Sequence, residues 1–449
     1  MCGIVASSIS DCKNEVFTRE MLKKIKHRGP DNTDFFSNPN VSLGSCRLSI
    51  MDISKKADMP MTDRSGRFVI VYNGEVYNFK DLKKKYEIST RTNSDTEVVL
   101  ELYAKLKENC LNELNGIFSF IIFDKHNNNL FCARDPIGVK PFYYIFDNIN
   151  FLASSEIKSF TEFNSHNLNL NVVKKYLTSS FYDYGEETFF NNIFQLQPGH
   201  YLNYSIKKKK IQIKKYFFLN KKKMIETKNE ENLINKGSEL ILDSFKIQMQ
   251  TDTNLALNLS SGLDSKLMLS CVDRINGGQK SIRANSFFFE DKNFNEKPDL
   301  EDFSKKKNWK INFFKITPED VINHFDEILL ANDGPFPGLP TIGKNLLIKR
   351  SSVSSYKVVL EGQGGDDIAG GYKYIFGYYL KDLIKSGDIK NFVLEIIEFS
   401  KKEKINLSKI LNLFLYSFNS IDRGGISADG SKSANLNVLD DDLLNKKNL

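Results

Sequence analysis

Short bursts of apolar and β-branched residues, each closed by turn-forming residues, punctuate the first part of the chain. Segments 2–9, 41–47, 67–72, 117–124, 130–134, 141–146 and 150–154 have this character and are expected to be strands of a mainly antiparallel sheet system. Segments 15–26, 79–86 and 94–108 carry helical spacing instead. In the last of these, Val98, Val99, Leu102, Tyr103 and Leu106 share one face. Strands and helices mixed in this order predict stacked layers rather than a doubly wound sheet.

A Gln-Pro-Gly turn at 197–199 and a Lys-rich stretch at 205–230 read as the end of one domain and a linker. From residue 232 the rhythm changes. A helix (232–249), a strand (255–259), a glycine turn and a helix come first. A strand (282–289), a helix (296–308), a strand (311–316), helices (318–331, 340–351) and a strand (356–360) follow. Regular alternation of this kind predicts a parallel α/β sheet. Two domains are therefore expected, at 2–204 and 232–449, which suits a 449-residue chain.

Composition narrows the function. The hydrophobic share of 41% excludes general disorder, and no apolar run approaches the roughly 18 residues of a membrane span. Six cysteines, at 2, 12, 46, 110, 132 and 271, contain no CxxC pair. That spacing predicts reduced thiols, a cytoplasmic location, and neither a disulfide framework nor a zinc site. The net charge of +7 comes partly from short Lys runs at 207–210, 221–223 and 305–307. These lack interleaved aromatics and read as solvated surface, not as a nucleic-acid site.

Candidate chemistry begins at Cys2. Removal of Met1 would leave its thiol beside a free α-amine, a base that titrates near neutrality. Alone, Cys2 would be read as a small buried cysteine in a first strand. It is followed, however, by His27-Arg28-Gly29-Pro30-Asp31, Arg47-Leu48-Ser49-Ile50-Met51-Asp52, Tyr72-Asn73-Gly74-Glu75-Val76-Tyr77-Asn78 and Asn93-Ser94-Asp95-Thr96-Glu97. In order and spacing these motifs resemble the class II glutamine amidotransferases. The resemblance implies an α+β N-terminal nucleophile hydrolase domain with αββα layers. It implies Cys2 as nucleophile, and Asn73 and Gly74 as donors to the developing oxyanion. Arg47 is implied on the substrate carboxylate, Asp95 on its ammonium, and Glu75 as completing the glutamine pocket. The segments 132–144 and 154–158 also match, with a structural role expected.

The second constellation is Ser260-Ser261-Gly262-Leu263-Asp264-Ser265, after a strand and before a helix. Hydroxyls, a glycine turn and helix N–H groups make an anion cradle, without the Gly-Lys-Ser/Thr of a Walker A loop. About a hundred residues later comes Glu361-Gly362-Gln363-Gly364-Gly365-Asp366-Asp367, with Gly370-Gly371-Tyr372 after it. Together they resemble the ATP-pyrophosphatase domain of glutamine-dependent asparagine synthetases. The resemblance implies ATP held by Leu259, Ser260, Ser261, Gly262, Asp264, Ser265, Phe289, Glu361 and Gly362, and Mg²⁺ held by Asp264 and Asp366. It further implies glutamine and aspartate as substrates, and it admits a homodimer.

Three departures qualify the resemblance. Ser261 stands where the pattern has Gly, Gln363 where many synthetases have Glu, and Glu361 where they often have Ser. The last two keep open another acceptor, such as a sugar uronate in surface-polysaccharide assembly. No segment resembling Glu-x-Arg-x-Pro-Phe-Leu-Asp with its later lysine is found, and 429–439 resembles the loop before it. A shortened paralogue that completes no synthesis is the further alternative.

Overall fold

The computed structural model describes residues 1–10, 13–161, 163, 167–179, 183, 185–219, 229–278, 282–292, 294–352 and 356–418. The stretch 429–439 lies outside them. The chain forms two compact units. The first joins Met1–Asn167 to Gly185–Glu361, and the second joins Leu168–Tyr184 to the segment from Gly362 onward.

In the first unit the amino-terminal strands are β1 (Gly3–Ser8), β2 (Asn32–Ser37), β3 (Ser42–Arg47), β4 (Met61–Thr62), β5 (Phe68–Val76), β6 (Gly116–Asp124), β7 (Asn129–Arg134), β8 (Tyr143–Phe146), β9 (Phe151–Ser154), β10 (Phe194–Gln195), β11 (His200–Ser205) and β12 (Lys210–Lys215). They build two antiparallel sheets, ordered β10-β8-β9-β1-β3-β2 and β12-β11-β7-β6-β5-β4. Period-two alternation explains why the sheets stack. Ile4, Ala6 and Leu43 of the first sheet meet Val69, Val71, Ile121, Phe123, Leu130 and Cys132 of the second in one core. The intervening Val5 and Cys46 face outward onto helix α1 (Asn14–Ile25), against Met21, Leu22 and Ile25. On the far side, Ile70, Tyr72, Phe118, Phe120 and Phe131 share a core with Phe79 and Leu82 of α2 (Phe79–Lys85) and Val98, Val99 and Leu102 of α3 (Asp95–Leu106). The αββα layering expected from the sequence is thus present.

One expectation is corrected. The Lys-rich stretch read as a linker contains β12, which pairs with β11 along its whole length. Lysines on this edge strand discourage pairing with other chains. Asn73-Gly74, which alone would signal a hairpin turn, lies inside β5 and pairs with Ser119 and Phe118 of β6.

Helix α4 (Leu170–Ser179) belongs to the second unit. The first unit continues with α5 (Glu230–Gln248) and a parallel sheet of β13 (Leu255–Asn258), β14 (Arg283–Phe288), β15 (Ile311–Lys315) and β16 (Val358–Leu360), ordered β15-β14-β13-β16. Its helices are α6 (Leu263–Ile275), α7 (Lys297–Lys307), α8 (Pro318–Ala331) and α9 (Leu339–Ser352). Leu257, Met268, Leu269, Val272, Ala284, Leu300 and Trp309 form its core. The strand order reverses between β13 and β16, which is where open α/β sheets bind ligands, outside the carboxyl ends of the strands. The second unit adds α10 (Gly365–Ala369), α11 (Lys373–Lys385), α12 (Ile389–Glu403) and α13 (Leu407–Tyr416). Among the described residues no helix is long and apolar enough to cross a membrane.

Candidate active site

A cleft opens in the amino-terminal part of the first unit, lined by Cys2, Arg47, Tyr72, Asn73, Gly74, Glu75, Asp95 and Lys140 among others. All six residues assigned to glutamine chemistry therefore meet there, although four separate elements carry them. Cys2 precedes β1. Its Sγ accepts from the Leu48 N–H at 3.4 Å and lies 3.7 Å from the Leu48 carbonyl. Burial pushes the thiol up from its ordinary range, against the Leu48 bond. The α-amine here is that of Met1, which burial lowers to about 6.

Asn73 is buried, and among the described residues neither atom of its side-chain amide has a hydrogen-bond partner. The Ser119 hydroxyl, across the ladder, is in the same state. Such groups carry a desolvation cost that a ligand can relieve. Gly74 is required by close approach, since a Cβ there would sit 2.5 Å from the Ile117 carbonyl oxygen.

Arg47 ends β3. Its Nη atoms are engaged by Asp58 (2.7 Å) and by the carbonyls of Ser54, Met51 and Asp52. The fork thus grips the loop that walls the cleft. Asp95 opens α3, where its carboxylate accepts from the Tyr72 hydroxyl (2.8 Å) and from the N–H groups of Val76 and Thr96. Burial raises Asp95 and Glu75, and Asp95 raises Glu75 further. Two buried carboxylates that resist joint ionisation form a natural seat for an ammonium group.

Sequence reasoning assigned 132–144 a structural role and missed Lys140. Asp135 accepts from the N–H groups of Phe118, Ile137, Gly138, Val139 and Lys140, which folds the loop back. The Lys140 side chain is thereby delivered into the cleft, where burial lowers its basicity and Glu75 opposes that effect. A signal was present in the sequence: an Asp followed by Pro and Gly, with a single Lys at the loop's end.

Behind Cys2 lies an ionic chain. Arg28 Nε donates to the Cys2 carbonyl at 2.9 Å, and Arg28 Nη1 donates to Glu156 at 2.7 Å. Lys158 joins Glu156 (2.6 Å) to Asp333 (3.2 Å), which begins the connection from α8 to α9. Burial opposes ionisation of Glu156, but the His27 hydrogen bond, Arg28 and Lys158 prevail and hold it at about 2.

The predicted nucleotide residues of the first unit follow the carboxyl ends of β13, β14 and β16. Ser260 and Ser265 place their hydroxyls 2.9 Å apart at the start of α6, and the Ser261 N–H donates to Glu296 at 2.8 Å. Ser261 is outside the left-handed residues, so its departure from Gly creates no backbone strain. Asp264 sits in the first turn of α6. Glu361 accepts from Asn258 Nδ2 at 3.0 Å and pairs with Lys344. Leu259 is buried in the sheet core, and Phe289 packs edge-on to Phe287 in a smaller cluster with Ile316, Ile328 and Ile342. Gly362 and Asp366 belong to the second unit. There Asp366 lies so close over Gly371 that a Cβ at 371 would sit 1.9 Å from its Oδ1.

Residues 1–217 match the family described as glutamine amidotransferase domain. Residues 236–405 match the one described as asparagine synthase. The chain thus joins an amidotransferase to a synthase domain. It is 33% identical over 444 residues to a Methanocaldococcus jannaschii protein named for asparagine synthetase (glutamine-hydrolysing), covering 92% of this chain and 83% of that one. It belongs to the glutamine-hydrolysing asparagine synthetase family, whose members are ligases. Identity is 29% to asparagine synthetase (glutamine-hydrolysing) 1 of Bacillus subtilis, over 83% of this chain and 59% of that one. It is 28% to an amidase of Gibberella zeae, over 78% and 54% respectively. The chain spans little more than half the length of these last two proteins.

Proposed function

We propose that the chain hydrolyses glutamine at Cys2 and passes the ammonia to a carboxylate activated by ATP, with aspartate as the acceptor and asparagine, AMP and pyrophosphate as products. The observation that carries the reading is the unpartnered Asn73 amide, buried in the same cleft as Cys2. With Met1 removed, the Cys2 amine takes the thiol proton. The sulfur attacks the glutamine amide carbon, and Asn73 Nδ2 with the Gly74 N–H receives the oxyanion. Ammonia leaves, and water cleaves the γ-glutamyl thioester to glutamate. Asp95 and Glu75 receive the substrate ammonium, and the Arg47 side of the cleft receives its carboxylate.

In the α/β half, the hydroxyls of Ser260 and Ser265 and the amino end of α6 suit phosphate oxygens. Asp264 and Asp366 supply the hard oxygen donors that Mg²⁺ prefers. That ion, when bound, neutralises phosphate charge. Leu259, Ser261, Gly262, Phe289, Glu361 and Gly362 complete the nucleotide site in this reading, and the two domains are 2–204 and 232–449. The scattered free thiols agree with a cytoplasmic location.

Glu361 and Gln363 favour a second reading of the acceptor alone, a carboxylate other than aspartate, and the amidase relative is in keeping with it. Incubation with glutamine, MgATP and aspartate, followed by mass analysis of all products, decides between them. Asparagine with equimolar AMP is expected. Glutamate and AMP without asparagine would overturn the aspartate assignment.

A further inference from the structure

We propose that Asp252 and Lys357, at the amino ends of β13 and β16, are positioning residues for the glutamine cleft. The proposal rests on the reading of that cleft as a glutamine site. The wall of the cleft that carries Leu48, Ile50 and Met51 is the loop after β3. This loop contains Asp52 at φ +47°, a conformation that a residue with a Cβ adopts at a cost unless its surroundings fix it.

Arg47 and Ser54 hold Asp52 from within the amidotransferase part, and further fixing groups come from outside it. The Asp52 N–H donates to Asp252 Oδ2 at 2.8 Å, and the Asp252 N–H donates back to the Ile50 carbonyl at 3.1 Å. One residue thus binds both ends of the 50–52 turn. Lys357 Nζ lies 2.5 Å from Asp31 and 3.4 Å from the Ser49 carbonyl, and the same Asp31 oxygen accepts from the Ser49 N–H at 2.7 Å. Asp52 then carries the constraint across the cleft, because its carboxylate accepts from the Asn93 N–H at 2.8 Å, two residues before Asp95. The Arg47 side and the Asp95 side of the cleft are therefore spaced by a residue whose conformation Asp252 holds.

Asp252 and Lys357 also precede the two strands that flank the switch point. β13 leads to Ser260–Ser265 and β16 leads to Glu361. The fit of glutamine is consequently set by the α/β half of the chain. Asn73 and Gly74 lie within β5, and Cys2 Sγ meets the cleft loop at Leu48, before the 50–52 turn that Asp252 holds, so the effect falls on binding more than on turnover.

The test uses the full chain, with glutamine alone. Asp252→Ala should raise KM for glutamine about three- to tenfold with kcat within about twofold. Asp252→Asn keeps an acceptor oxygen and should restore most of the loss. Lys357→Met should behave like Asp252→Ala, and Lys357→Arg should lie between. The glutamine concentration that half-protects Cys2 from iodoacetamide should shift in parallel, and thermal unfolding identifies any variant that fails to fold. If Asp252→Ala and Lys357→Met leave both KM and half-protection unchanged, the proposal is wrong. It is equally wrong if Asp252→Asn is as impaired as Asp252→Ala. Absence of glutaminase activity and of glutamine protection in the unaltered chain would instead remove the glutamine reading itself, and the proposal with it.

Discussion

Replacing Glu156 by Gln should destabilise the first unit by an amount that depends on pH in a defined way. The carboxylate faces Arg28 at 2.7 Å, Lys158 at 2.6 Å and the His27 ring at 3.0 Å, and only 10% of its side chain is exposed. Its pKa falls from 4.5 to about 2, an interval worth roughly 3 kcal/mol in favour of the ionised form. Gln has nearly the shape of the protonated acid, so it should lose about that amount at neutral pH and leave Arg28 without its carboxylate partner. Because the folded pKa lies below the unfolded one, the stabilisation is present above pH 4.5 and fades as the pH falls through about 2. Urea unfolding of the two proteins, followed by far-ultraviolet circular dichroism across this range, measures the gap directly. The gap should be widest at neutral pH and close in acid. A gap that stays constant down to pH about 2 would assign the loss to packing and refute the electrostatic account.

Asn73→Ala should lower kcat for glutamine hydrolysis by about 10²–10³ without lowering the unfolding temperature, because it removes a buried amide that has no partner among the described residues. Glutamate release and calorimetry test this together, and a large fall in unfolding temperature would count against an amide reserved for the substrate. Asp264→Asn, in the first turn of α6, should abolish pyrophosphate release while glutamine hydrolysis continues. ADP and phosphate as products of the unaltered chain would reject the pyrophosphatase reading.

Legibility in the sequence followed the strength of the local signal. Buried strands such as β1 alternate cleanly, with Ile4 and Ala6 facing one way and Val5 the other, so period-two reading located most of them, though not the interior strand β11. Edge strands failed for a physical reason. β2 is largely polar, and β12 alternates Ile211 and Ile213 with Lys and Gln. One face of an edge strand needs no apolar residue, so composition alone resembles a loop. The Asn73-Gly74 pair shows the limit of a local signal read alone. Its strong turn signal is local, whereas its placement inside β5 is decided by nine consecutive pairs with β6.

The residues that line the cleft were named from the sequence, but their contacts were much less legible. Arg47 was expected on the substrate carboxylate, yet its Nη atoms hold the loop at 51–54. Both uses suit a planar cation with several donors, and sequence cannot say how these are shared. Lys140 went unnoticed because the Asp, Pro and Gly before it signal a turn without saying that Asp135 gathers five N–H groups and so carries the lysine into the cleft. Asp252 and Lys357 were harder still, since each meets the cleft loop across about two hundred residues or more. Such contacts exist only after β13 and β16 have paired with each other. That pairing also brings Asn258 to Glu361. The same pairing that brings together the loops at the carboxyl ends of β13 and β16 therefore places Asp252 and Lys357, at the opposite strand ends, against the loop that walls the cleft around Cys2.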